Sequence, residues 1–139
     1  MRIMGLDVGD RRIGVAMSDP EGIIASPTTI ITRDDDNTAI DAILRLVDKY
    51  EIKVIIVGMP YSLDGSAGLQ AGKVKEFVNE LSKKTSASIE LRDERLSTIG
   101  AGRLLRQAGN KKAKKSPRDD AAAAFILQGY LDSRKVGDR

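Results

Sequence analysis

An aspartate inside an apolar run is the first residue of this chain that calls for a chemical explanation. Asp7 sits within residues 3–8, Ile-Met-Gly-Leu-Asp-Val. Aspartate is depleted in strands and costly in a core unless something pairs with it. The sequence contains no His and no Cys. An ordinary zinc site, a Ser-His-Asp triad and a cysteine nucleophile with a histidine base are therefore excluded. Carboxylates, hydroxyls, Lys and Arg remain, and carboxylate oxygens suit hard cations such as Mg²⁺ and Mn²⁺. The plainer alternative is a solvated strand end at which Asp7 bonds its own turn.

Two further acidic places stand out, Asp93-Glu94 and Asp119-Asp120. Strand alternation does not choose between Asp93 and Glu94, because pleating is unreliable at a strand end. Glu94 could equally pair with Arg92 or Arg95. Helical spacing does not choose between Asp119 and Asp120. The first lines up with Ala122, Ala123, Ile126 and Tyr130, the second with Ala124, Leu127 and Leu131, and both rows are apolar. Ser116-Pro117-Arg118-Asp119 also has the spacing of a helix capping box, which offers Asp119 a structural role.

Positive charge is unevenly spread. The net charge is only +3, yet Lys111, Lys112, Lys114, Lys115 and Arg118 cluster together, with Arg103 and Arg106 just before them. Such a patch is the footprint expected for a nucleic-acid backbone, although a lysine run is more often a solvated loop. Arg11, Arg12 and Arg95 lie near the acids in sequence and are candidates for holding phosphates.

The elements that must position these side chains follow from periodicity. At 139 residues the chain is expected to form one domain, residues 1–139, with a real core. Residues 3–8 and 13–17 flank Gly9-Asp10-Arg11-Arg12 and read as a β-hairpin. Residues 22–32 read as a third strand, with Pro27 marking an edge or a bulge. Asp36 or Asn37 can cap a helix running to about residue 50. Residues 53–58 form a β-branched strand, apolar on both faces, which suits a central parallel position. A loop over 59–68 leads into a helix to about residue 84, and residues 88–92 form a fifth strand. Ser97 can cap a helix to about residue 108, a basic connector spans 109–115, and a last helix starts at Ser116-Pro117 and passes Leu131. The order is βββ-α-β-α-β-α-α, an α/β chain whose mixed sheet has three antiparallel strands first and then two crossovers. The first strand should lie centrally, beside the fourth, with ligands outside the carboxyl ends of the parallel strands. Asp7 and Asp93-Glu94 could then meet. No stretch approaches a membrane span, and an aspartate arrives too early for a signal peptide. A cytoplasmic protein with no membrane partner is expected.

Four segments in this order and spacing, GLDVGDRRIGVAMSD, VGMPYSLDGSAG, DERLST and DDAAAAFILQGY, resemble the YqgF/RuvX family over essentially the whole chain. Ser62 departs from the Asn that many members carry. The resemblance implies the ribonuclease H-like fold, a five-stranded mixed sheet flanked by helices. It also implies a nuclease of Holliday junctions or of the 5′ end of pre-16S ribosomal RNA. It implies Asp7, Glu94 and Asp119 as a catalytic, metal-binding triad for two Mg²⁺ or Mn²⁺ ions, with Asp7 shared between them. Pre-rRNA is the substrate expected first, with branched DNA as the alternative. Junction resolution needs two paired sites, hence a homodimer, whereas a monomer can trim a precursor. Arg11, Arg12, Arg95 and the four lysines would hold the backbone. Five aromatic residues argue against a base-stacking single-strand binder, so recognition by shape is expected.

Two functions of other classes compete. An ATP-binding protein of the actin and sugar-kinase type has a similar first hairpin, but needs a second domain that this length does not supply. A non-catalytic RNA-binding scaffold needs the basic residues but not the acids.

Overall fold

The alternation over the first thirty residues builds three antiparallel strands, β1 (Ile3–Val8), β2 (Arg12–Ser18) and β3 (Ala25–Thr32). The structure, a computed structural model, describes residues 1–59, 69–93 and 119–137. Helix α1 (Asp36–Tyr50), β4 (Val54–Met59), α2 (Leu69–Ser82), β5 (Ser88–Asp93) and α3 (Asp119–Gly137) complete the described elements. The sheet order is β3-β2-β1-β4-β5, with β1 parallel to β4 and β4 parallel to β5. The expected central position of the first strand is thus present. β3 is an edge strand, and its register against β2 shifts between Val15 and Ala16, where Pro27 pairs with Ala16. An edge or a bulge is where the missing proline N–H is tolerated.

Alternation sends the two halves of each strand's side chains into two cores. Met4, Leu6, Val8, Ile55 and Val57 pack with Ile40, Ile43 and Phe77 under α1 and α2. Ile3, Ala16 and Ile56 pack with Ala123, Ile126, Leu127 and Leu131 of α3. β1 and β4 are buried on both faces, which is why their sequences are nearly continuous apolar runs. This makes Asp7 conspicuous.

Helix α3 comes very close to β1. A Cβ on Gly5 would stand 2.8 Å from Leu127 Cβ and 3.0 Å from the Ala123 carbonyl oxygen. Backbone cannot yield as a side-chain tip does. Gly5→Ala is therefore expected to destabilise by about 1–3 kcal/mol through overpacking, read from urea unfolding. Unchanged stability would show that α3 can lift at no cost.

Several boundaries differ from sequence expectation. The third strand begins at Ala25 rather than residue 22, because Asp19 accepts the amides of Ile23 (2.7 Å) and Ile24 (2.9 Å) and folds that segment into a turn. The cap of α1 is Asp35, not Asp36 or Asn37. Its backbone is extended and its carboxylate accepts Thr38 N–H and Oγ1–H at 2.8 Å each. Helix α2 ends at Ser82 rather than 84, β2 is longer than expected by a residue at each end, β4 starts and ends one residue later than expected, and β5 runs on to Asp93. Met59, the first residue of the expected 59–68 loop, ends β4 instead; the rest of that loop, the expected helix at 97–108, the basic connector and residues 116–118 lie outside the described residues.

The amide and hydroxyl of Thr38 hold the Asp35 carboxyl below its ordinary range, the amide being the larger cause. A folded pKa below the unfolded value gives stability that is present above about 3.9 and is lost as pH falls through the folded value. Asp35→Ala should thus lower the thermal midpoint at neutral pH, and the gap from wild type should close in acid. A gap independent of pH would remove the ionised cap from the explanation.

Candidate functional site

Strand β1 presents Ile3, Gly5 and Asp7 to α3 and the even-numbered residues to α1 and α2. Asp7 is half-buried near the carboxyl end of β1. It pairs with Gly14 on β2. The β1–β4 register, carried one residue beyond Leu6 opposite Val57, sets Gly58 on its other side. Both lateral neighbours on that face therefore lack side chains. Gly58 pairs in turn with Arg92. One level across the sheet thus reads Gly14, Asp7, Gly58, Arg92, with Arg92 two strand spacings, about 10 Å, from Asp7 in backbone position. Arg12 shares the face of Gly14 and Ala16, so it too is on the side of Asp7.

Helix α3 runs antiparallel to β1. Gln128 accepts the Ala25 amide (2.8 Å) and donates to the Ile23 carbonyl (3.0 Å). Ala25 pairs with Ser18, whose hydroxyl accepts the Ile3 amide at 2.9 Å. Position 128 is thereby tied to the amino end of β1, while Ala123 and Leu127 cross Gly5. The start of α3 consequently lies toward Asp7. Asp120, one turn before Ala123 on the stripe of Leu127 and Leu131, is 3% exposed. Sequence spacing alone did not show that burial. Position 119 opens the helix on the stripe of Ile126.

The pleat of β5 sets Asp93 apart from Asp7. Ile89 packs under α1 and α2, and Leu91 and Asp93 follow it on that face, opposite Asp7. Arg92 is on the Asp7 face, where it lies against Gly129; a Cβ there would stand 3.2 Å from Arg92 Nη2. From the sequence Arg92 is a candidate partner for Glu94, and strand alternation from Ile89 is the signal that places it on this face. Glu94, Arg95, Lys111, Lys112, Lys114 and Lys115 lie outside the described residues. Arg11 is exposed in the hairpin turn. Among the described residues no three acidic side chains gather as a metal site. The donor chemistry nonetheless fits a hard divalent cation: the chain offers oxygen and no imidazole or thiolate, and Asp7 faces a level of the sheet cleared of side chains on both sides.

A five-stranded mixed sheet in this order, with α3 across the face that carries an acidic residue on the central strand, defines a ribonuclease H-like domain. The solved RuvC of Thermus thermophilus in complex with a Holliday junction superposes with a TM-score of 0.58 at 14% identity, covering 97% of this chain and 96% of that one. This likeness shows the fold. The RuvX family, described as Holliday junction resolvase, matches residues 1–133, and the chain belongs to it. A relative from Halothermothrix orenii named "Putative pre-16S rRNA nuclease" is 47% identical over 133 residues, 95% of each chain. One of the same name from Desulforamulus reducens is 45% identical over 134 residues, 96% of this chain and 98% of its own.

Proposed function

We propose that the chain is a divalent-metal-dependent nuclease, one domain over residues 1–139, that hydrolyses phosphodiester bonds at the 5′ end of pre-16S ribosomal RNA. The observation that carries this is the placement of Asp7: on the central strand, on the α3 face, between two glycines and beside Arg12. The names and identities of the curated relatives support the RNA substrate. Among the described residues no helix is long and apolar enough to cross a membrane, in keeping with action in the cytoplasm.

In this reading Asp7, Glu94 and Asp119 hold Mg²⁺ or Mn²⁺. The departure of Asp93 to the opposite face supports Glu94 as the acid of that pair. When bound, two such ions stabilise the attacking and leaving oxygens of an in-line displacement and acidify the attacking water. The chain's own part is positioning. A strand buried on both faces fixes the Asp7 carboxylate, and the flanking glycines leave room for a phosphodiester to approach. Arg11, Arg12 and Arg95 neutralise neighbouring phosphates, and the 111–115 lysines extend that contact. Trimming of a precursor is work for a monomer.

The family description favours a second substrate, a four-way DNA junction, which a dimer would cut. Labelled pre-16S RNA fragments and a junction, incubated side by side with Mn²⁺ or Mg²⁺, separate the two. Shortening of the RNA at its 5′ side with an intact junction is expected; symmetric nicking of the junction alone would overturn the RNA assignment.

Changing Lys111, Lys112, Lys114 and Lys115 to Gln should flatten the log-log salt dependence of nucleic-acid binding by about two to four units, at about 0.7 per single-strand phosphate and about 0.9 on B-DNA. An unchanged slope would return that run to a solvated loop.

A further inference from the structure

We propose that Arg33 is a positioning residue for nucleic-acid binding: it holds the hairpin turn that carries Arg11 and Arg12. The inference rests on the nuclease reading, in which that turn contacts phosphates.

Arg33 follows β3 and reaches the turn from the α1 and α2 side of the sheet. Its amide donates to the Arg11 carbonyl at 2.8 Å. Its Nη1 donates to the Gly9 carbonyl at 2.8 Å, and its Nε to Asp36 Oδ1 at 2.8 Å. The guanidinium carbon stands 4.9 Å from the centroid of the Phe77 ring on α2. The side chain is only 12% exposed. One planar group thus ties the turn to the first residue of α1 and rests on a core aromatic. A guanidinium presents its donors in a fixed fork, so its two acceptors are set in direction as well as distance.

Within the turn the closure is short, and one further ion pair reaches it from α2. Gly9 N–H donates to the Arg12 carbonyl at 2.9 Å, and a Cβ at Gly9 would stand 2.8 Å from that oxygen, so the closure is tight. Lys73 Nζ reaches Asp10 at 3.7 Å, but both side chains are about half exposed, and such pairs contribute little. Asp7 stands apart from this device, because β1 is paired on both sides. Loss of Arg33 should therefore loosen substrate binding while sparing the chemical step.

The test compares wild type, Arg33→Met, the Arg11→Gln/Arg12→Gln pair and all three changes combined. Binding of a labelled structured RNA is followed in EDTA, which prevents cleavage, and amide exchange is measured at Gly9 and Leu6. Arg33→Met should weaken binding about tenfold and reduce the salt slope by about one unit, as expected for lost phosphate contacts. Adding it to the double variant should weaken binding no further, since residues acting through one another are not additive. Gly9 exchange should quicken at least about tenfold, with Leu6 unchanged. Arg33→Lys keeps the charge without the fork and should behave as Arg33→Met, which preserves the test should the Met variant fold poorly. Full additivity, or Gly9 protection equal to wild type, would overturn the proposal. Wild type that binds no RNA would instead overturn the nuclease reading beneath it.

Discussion

Asp7→Asn is expected to yield a folded protein whose nuclease activity is at least about a thousandfold lower, the upper end of what removal of one electrostatic transition-state contact costs. Asparagine keeps the size and one oxygen of aspartate, and the position is half-buried between Gly14 and Gly58, so packing is little changed. Charge is what disappears. A neutral amide oxygen offers a hard divalent cation no charge, and the chain has no His or Cys that could replace the lost carboxylate. In the proposed triad, removing one of three carboxylates also relieves repulsion in the metal-free protein, so the thermal midpoint should be equal to or higher than that of wild type. Loss of activity accompanied by unfolding would make Asp7 a structural residue. Near-normal activity would remove it from the site.

The second large effect is expected at the start of α3, where Asp119 and Asp120 adjoin. Asp119→Asn should slow cleavage by at least about a hundredfold while leaving the fold intact, because the amide keeps the size of a first-turn residue. Asp120→Asn is the matched control, about 100° round the helix. Its side chain is 3% exposed, on the stripe that faces the sheet. An amide of equal volume fills that space, so the variant should fold and retain activity within about tenfold, a loss of about 1.4 kcal/mol or less in transition-state stabilisation. The reverse pattern would move the third ligand to Asp120. Activity near wild type in both variants would leave Asp119 as a helix cap alone.

How much of this could be read from the sequence depends on the kind of signal. The central place of β1 was legible because an antiparallel hairpin followed by two right-handed crossovers allows few sheet orders. The faces of the helices were legible from spacing, as at Ile40, Ile43 and Val47. Element ends were less so. Nothing in the local pattern distinguishes residues 22–24 from strand until Asp19 is seen to take two of their amides. The cap at Asp35 competed with equally suitable neighbours at 36 and 37. In the site, Asp7 was conspicuous as a charge within an apolar run. The face taken by Asp93 was not legible, because alternation is unreliable at a strand end and the β4–β5 register is needed to show that Asp93 follows Ile89 onto the far face. Arg33 carried no sequence signal: its role exists only because the turn at Gly9, the start of α1 and Phe77 of α2 converge on one guanidinium.

The most direct test of the acidic site is cleavage of a 5′-labelled pre-16S RNA fragment by protein stripped with EDTA, alone and after addition of Mn²⁺ or Mg²⁺, with Mn²⁺ binding by wild type and Asp7→Asn followed in parallel by calorimetry. The account predicts no cleavage by the stripped protein, full recovery on adding metal, and Mn²⁺ binding that Asp7→Asn weakens severely. Undiminished cleavage by the stripped protein, or identical Mn²⁺ binding by the two proteins, would contradict it.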